Sequence, residues 1–479
     1  MDSQHYGIIG GGMLGLMLAH RLRQAGHAVT VLEAAPQLGG LASAWRICDV
    51  TWDRHYHVIL MSDLKVRELV EEIGLTNDFR WVETKTGFYT DGKLYSMSNS
   101  VEFLKFPPLG LIDKFRLGLT IMRASKIKNW KRLERIPVVD WLKRWSGKRT
   151  FNKIWLPLLR AKLGESYRVA SAAFIWAIIA RMYAARRSGL KKEMFGYVTG
   201  GYACILERLA QKLTDAGVEI KLNQRVSKVD SAGEGVEVTL EDGTHTFDRV
   251  ILTNAAPLAS KLVPGLKQAE HDLLNGVTYQ GIVCASLLLK KPLAHYYVTN
   301  ITEDWVPFTA VIEMSALVDR AEFGGNSLVY LPKYVAPDDP HFKLSDDEIQ
   351  ERFVAALERM YPHFTRNDIL AFRVSRVRQV FAVSTLDYSK HVPPVETSIP
   401  GVYLVNSANI VNGTLNVNET LALAESVLPI VSSSLSPLRG GGRGEGLGVA
   451  ASRENLSPPT PLSEAERGEK PQGFMVGVS

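Results

Sequence analysis

Three glycines within six residues, Gly10-x-Gly12-x-x-Gly15, constrain this chain more than any other feature, because of what lies on either side. An apolar run ends at Ile9, and from Met13 onward Leu14, Met17, Leu18 and Leu22 recur at helical spacing. Gly26 then marks a turn, and Val29 and Val31 alternate toward Glu33. Residues 6–33 therefore read as one strand, helix, strand unit, with the helix at about 13–25 and the second strand at 28–33. In that setting Gly10 permits a tight turn, Gly12 lets backbone approach a pyrophosphate, and Gly15 lets the helix pack closely on the strand. The helix N-terminus, with Met13 and Leu14 in its first turn, receives the negative charge. Glu33, at the end of the second strand, is placed to accept hydrogen bonds from ribose hydroxyls.

NAD and FAD share this fingerprint, so the next residues discriminate. Gln37-Leu38-Gly39-Gly40-Leu41-Ala42 follows directly, and a second glycine pair lets backbone pass against a larger dinucleotide. FAD is the expected cofactor. With Asp53-Arg54-His55-Tyr56-His57, Pro157-Leu158-Leu159, Lys162-Leu163-Gly164, Gly200-Gly201, Asp248-Arg249-Val250-Ile251-Leu252 and Gly401-Val402-Tyr403-Leu404-Val405-Asn406, the chain resembles the flavin-dependent amine oxidase superfamily. Within it the likeness is to the protoporphyrinogen-oxidase-like and phytoene-desaturase-like branch, over about residues 5–431.

The resemblance implies an α/β fold. A discontinuous, Rossmann-like FAD domain is expected from 1–100, 195–265 and 385–432, and a mixed α+β substrate domain from 101–194 and 266–384. It further implies that the backbone of Val226, in a strand-like 224–229, bonds adenine, and that Asn406 sits near the pyrophosphate or ribityl chain. The helix starting near Asn418 should aim its N-terminus at the flavin pyrimidine ring, where a reduced flavin carries negative charge. Amine oxidases often hold a water near flavin N5 with a lysine, and Lys333 in Tyr330-Leu331-Pro332-Lys333-Tyr334 is the candidate, an exposed lysine being the alternative. His57 is the candidate contact to flavin or substrate. His55 and His57 lack a third ligand at metal spacing, so no metal site is expected. Glu313, in an apolar run, is a further candidate substrate contact.

The implied activity is oxidation of an apolar or amphipathic small molecule by hydride transfer to flavin. Two alternatives stay open. A sugar-nucleotide mutase resembling UDP-galactopyranose mutase would need arginines around a diphosphate, and the cluster available is Arg373, Arg376 and Arg378. A non-catalytic flavoprotein is left open by the loop 407–416, which carries no charge.

Composition narrows the setting. Of 479 residues, 46% are hydrophobic and 22% charged, enough for a large core. The net charge of +6 does not by itself imply a nucleic-acid partner. Between Lys105 and Lys162, however, 16 Lys or Arg face three acids, interleaved with Trp130, Trp141 and Trp145. Peripheral contact of 105–149 with a membrane surface is one reading, and a solvated cationic face is the other. Cys48, Cys204 and Cys284 are scattered, which fits a reducing cytoplasm, with any membrane contact at the inner face. The apolar run 169–180 is too short to span a bilayer. Residues 433–479, rich in Gly and Pro and including Arg439-Gly440-Gly441-Gly442-Arg443-Gly444, are expected to be disordered.

Overall fold

The computed structural model describes residues 3–186, 194–233 and 235–433. The expected strand, helix, strand unit is present as His5–Ile9, Met13–Gln24 and Ala28–Leu32, and it seeds a sheet. Five strands pair in the order 219–221, 28–32, 5–9, 249–252 and 402–404, all parallel. The 249–252 and 402–404 strands are buried along their whole length, as expected where helices cover both faces of a parallel sheet. The 13–24 and 417–431 helices pack against each other through Leu14, Leu18, Leu421 and Ala424, all in one buried cluster.

A second sheet has seven strands, in the order 369–382, 279–289, 327–335, 310–313, 298–301, 86–90 and 93–96. Tyr279–Leu289 is buried at every position because both of its faces are covered. Ile282, Cys284 and Leu288 face the largest core cluster, while Val283, Ala285 and Leu287 face the 346–360 helix, following the two-residue period of a strand. The helices between 100 and 186 form a layer over the first of these faces. Ala172–Arg186, the most apolar of them, is buried there through Phe174, Ile175 and Ile179. Among the described residues no helix is long and apolar enough to cross a membrane.

Several sequence expectations shift. A two-residue turn at Asp91-Gly92, with φ of 54° and 67° as such a hairpin requires, joins the strands 86–90 and 93–96. Its strands nevertheless join the seven-stranded sheet, 86–90 running parallel to 298–301, although they precede the expected boundary at residue 100. The strand foreseen over 224–229 begins only at Lys228. A helix runs Leu64–Glu72 with Asp63 at its N-cap position. That carboxylate accepts the Leu60 N–H and pairs with Arg181 at 2.7 Å. The tail foreseen as disordered lies outside the described residues beyond 433.

Candidate active site

The strands 5–9, 28–32, 249–252 and 402–404 end side by side, and one elongated cavity opens at those carboxyl ends, where an open α/β sheet leaves room for a ligand. Together with the open solvent at its mouth it spans about 1810 Å³ free of protein atoms. At one end lie Gly10, Gly12, Met13, Leu14, Glu33, Gly39, Gly40 and Leu41, all foreseen. Gly10 has φ of +113°, and a methyl group on Gly15 would lie 2.0 Å from the Gly10 carbonyl oxygen, so Gly15 is structural and sits beneath the site. A methyl group on Gly12 would meet no protein atom within 4 Å, because Gly12 faces the cavity. Glu33 accepts the N–H groups of Gly11 and Ala35, both at 2.7 Å. Its carboxylate keeps lone pairs for ribose hydroxyls.

The Val226 side chain is buried beside Val229 and Phe247 and does not line the cavity. The Gln224 N–H, donated to the Glu33 carbonyl, holds that segment's main chain next to Glu33. Asn406 lines the middle of the cavity, where its side chain accepts the Ala408 N–H and thereby shapes the start of the uncharged loop. Asn416 caps the 417–431 helix by accepting the Glu419 N–H at 3.0 Å. Asn416, Val417, Asn418 and Thr420 place that helix N-terminus on the cavity wall. Asn418 itself accepts the Lys65 N–H, tying this end to the 64–72 helix.

The far end of the cavity is built from Tyr56, His57, Val58, Lys162, Tyr202, Ile282, Tyr297, Tyr334 and Val380. The hydroxyls of Tyr56 and Tyr334 bond each other at 2.8 Å. Burial pushes the tyrosines here above their usual range, so all remain neutral. The His57 ring packs on Tyr202 at 4.9 Å, with Nδ1 3.7 Å from the buried Asp53 carboxylate. Asp53 also accepts the Tyr202 N–H at 2.8 Å, and burial raises its pKa despite these partners. His55 sits between the Leu41 carbonyl and the Ser375 hydroxyl. Burial lowers its pKa to about 4, so it is a neutral hydrogen-bonded post beneath the glycine pair.

Lys162 is the residue that sequence reasoning missed. It ends the 156–163 helix and holds its ammonium 3.8 Å from the Tyr334 ring centre, and burial lowers its pKa to about 7. Within a block of surface cations nothing in the sequence separates it from its neighbours, although it belongs to the Lys162-Leu163-Gly164 motif.

Lys333 is not at the site. It lies opposite Val283 and shares the 346–360 face with Leu331 and Val335, so strand alternation brings its neighbour Tyr334 to the cavity instead. Glu313 is also elsewhere, accepting the N–H groups of Leu293, Ala294 and His295 and so fixing a loop. The three arginines available to a mutase are each occupied away from the cavity. Arg373 stacks on Trp45, Arg376 pairs with Asp346, and Arg378 lies over Phe342.

A glycine turn opening onto the carboxyl ends of a parallel sheet, joined to an aromatic-lined chamber, is the arrangement of a dinucleotide-binding protein. Two local features fit FAD. Gly12 leaves its approach open, and Asn254 presents a buried side-chain oxygen with no protein partner into the cavity. The chain belongs to the flavin containing amine oxidoreductase family, whose sequence profile matches residues 14–416. It is an FAD-dependent oxidoreductase.

Among its relatives are the 15-cis-phytoene desaturase of Glycine max, 23% identical over 83% of this chain and 74% of that protein, and the zeta-carotene desaturase of Synechocystis, 22% identical over 84% and 91%. A flavin-containing amine oxidase of Oncorhynchus mykiss is 24% identical over 58% of this chain and 55% of its own length. A protoporphyrinogen oxidase candidate from Exiguobacterium superposes with a TM-score of 0.73 at 18% identity, covering 90% of this chain and 99% of that one. Putrescine oxidase bound to putrescine gives 0.67 at 17%, covering 90% and 100%. At these identities the superpositions speak for the fold.

Proposed function

We propose that the chain oxidises an apolar or amphipathic small molecule, which lies among Tyr56, Tyr334, Tyr297, Ile282 and Val380 with one polar group toward Lys162. The observation that carries this reading is the chamber itself. Its wall is mainly aromatic and aliphatic, and of the two Lys or Arg cations among its described residues Arg181 is paired with Asp63 while Lys162, half-buried, stands over a tyrosine face. A diphosphate would need several free arginines there. The relatives named above are desaturases and amine oxidases, oxidations in both cases.

FAD, when bound, supplies the hydride acceptor. Gly12, Met13 and Leu14 would receive the pyrophosphate on the helix N-terminus, with Gly39, Gly40 and Leu41 beside it. Glu33 would hold ribose, and the Val226 main chain would border adenine. Asn406 and the 417–431 helix N-terminus, with Asn418, would face the flavin and stabilise negative charge on it. His57, held by Asp53 and Tyr202, would orient the ring system or substrate. Lys162, half deprotonated near pH 7, can hold a proton or a water beside the substrate. An apolar substrate lying against these walls would exclude bulk water from this end.

Anaerobic mixing with long-chain amines and with polyenes should bleach the flavin absorbance for one class, and an added acceptor should restore it. Turnover of a UDP-sugar by pre-reduced enzyme alone, with no net electron transfer, would overturn the reading.

A further inference from the structure

We propose that the face formed by the 100–105 and 111–126 helices docks the protein on an anionic lipid bilayer. Five large apolar side chains stand out there, Val101, Leu104, Leu111, Ile112 and Phe115, each at least 58% exposed. The two helices form one surface because Lys114, itself buried, donates to the Leu104 carbonyl at 2.6 Å. At roughly 100° per residue, Leu111, Ile112, Phe115, Leu119 and Met122 share one outward stripe that ends in exposed Arg123 and Lys126. The opposite side of the same helix, Leu117, Ile121 and Ala124, is buried in the core. A contiguous exposed apolar patch of this kind marks an interaction site.

The surrounding charge selects the occupant. In residues 101–150, Lys105, Arg123, Lys126, Lys128, Lys131, Arg132, Arg135, Lys143, Arg144, Lys148 and Arg149 are exposed, and Asp140 is the sole exposed acid. The other acids are engaged. Glu102 accepts from Ser96 and Ser98, Asp113 pairs with Arg149, and Glu134 is buried against Ser389. A second copy of the chain would set this cationic field against itself. Anionic headgroups would complement it while acyl chains take up the apolar stripe. Beyond Arg123 the surface continues into a groove with Trp141 and Trp145 in its wall and Arg132 and Arg144 at its edge, where Arg123 stacks on Trp145 at 3.9 Å. Tryptophan beside arginine is the pairing that suits a headgroup layer.

The FAD-loaded full chain should sediment with vesicles of phosphatidylglycerol and phosphatidylcholine, and much less with phosphatidylcholine alone or at high salt. The variant Leu111→Ser, Ile112→Ser, Phe115→Ser should lower partitioning by on the order of a hundredfold. Arg123→Glu with Lys126→Glu should lower it by on the order of tenfold. Flavin absorbance and melting temperature should stay those of the parent in both variants, because the patch touches neither core nor cavity. Equal recovery in the supernatant with both vesicle types would overturn the proposal. So would undiminished binding by the triple serine variant, or a vesicle-free dimer that this variant abolishes.

Discussion

Lys162 carries a cost that pH should expose. Its pKa of about 7 lies below the usual 10.5, so the folded chain releases a proton that the unfolded chain keeps until higher pH. The destabilisation is fully present below pH 7 and shrinks as pH rises from about 7 toward 10.5. The Tyr334 ring beneath the ammonium opposes part of it. Lys162→Met should therefore raise stability at about pH 6, by on the order of a few kcal/mol, with the gap closing toward pH 10 in denaturant titrations. A gap that widened with pH would contradict the assignment. The same substitution should remove from the pH profile of anaerobic flavin reduction a step near 7. Two glycines only three residues apart should behave in opposite ways. Gly12→Val should keep the fold and lose FAD, since its new side chain projects only into the cavity. Gly15→Val should unfold the 13–24 helix from its strand, because Gly10 backbone already occupies that space. Circular dichroism with flavin fluorescence separates the two outcomes.

At the scale of elements, the 417–431 helix is held at its start by the residue just before it and at its finish by one distant in sequence. Asn416 caps its start, and the buried Arg249 donates to the Val431 carbonyl at its finish, between the rings of Tyr6 and Tyr403. Asn416→Ala should cost about 1 kcal/mol and make FAD harder to reduce, since a frayed N-terminus stabilises negative charge less well. Arg249→Met should cost about 1 kcal/mol, as measured in urea, by removing one of the two donors to the Val431 carbonyl, the Tyr6 hydroxyl remaining as the other. Some elements were legible because their signals are local: helical spacing in 13–24 and the alternation of Val29 and Val31 in 28–32. Pairing was less so. Nothing within 86–96 reveals that these strands hydrogen bond to 298–301 more than 200 residues later. A one-residue difference in strand phase likewise separates Lys333, which faces a helix, from Tyr334, which faces the cavity.

For the whole molecule, the cofactor end of the cavity was readable from sequence because glycine geometry concentrates its requirements in residues 10–15 and 39–41. The substrate end was not, since Tyr56, Lys162, Tyr202, Ile282 and Tyr334 come from five separate segments and only tertiary packing brings them together. The charge of the 105–149 region was equally plain in composition, while the apolar stripe beside it emerged only once the buried face of the 111–126 helix was known. One continuous cavity, opened by Gly12, would bind FAD and present it to the aromatic chamber. Titrating flavin-stripped protein with FAD, followed by visible absorbance and calorimetry, tests it most directly. Wild type should bind one equivalent and turn yellow, NAD should not displace it, and Gly12→Val should stay colourless with an unchanged apo melting temperature. A wild-type protein that cannot be reconstituted, or a Gly12→Val protein that binds FAD as well as the parent, would contradict the account.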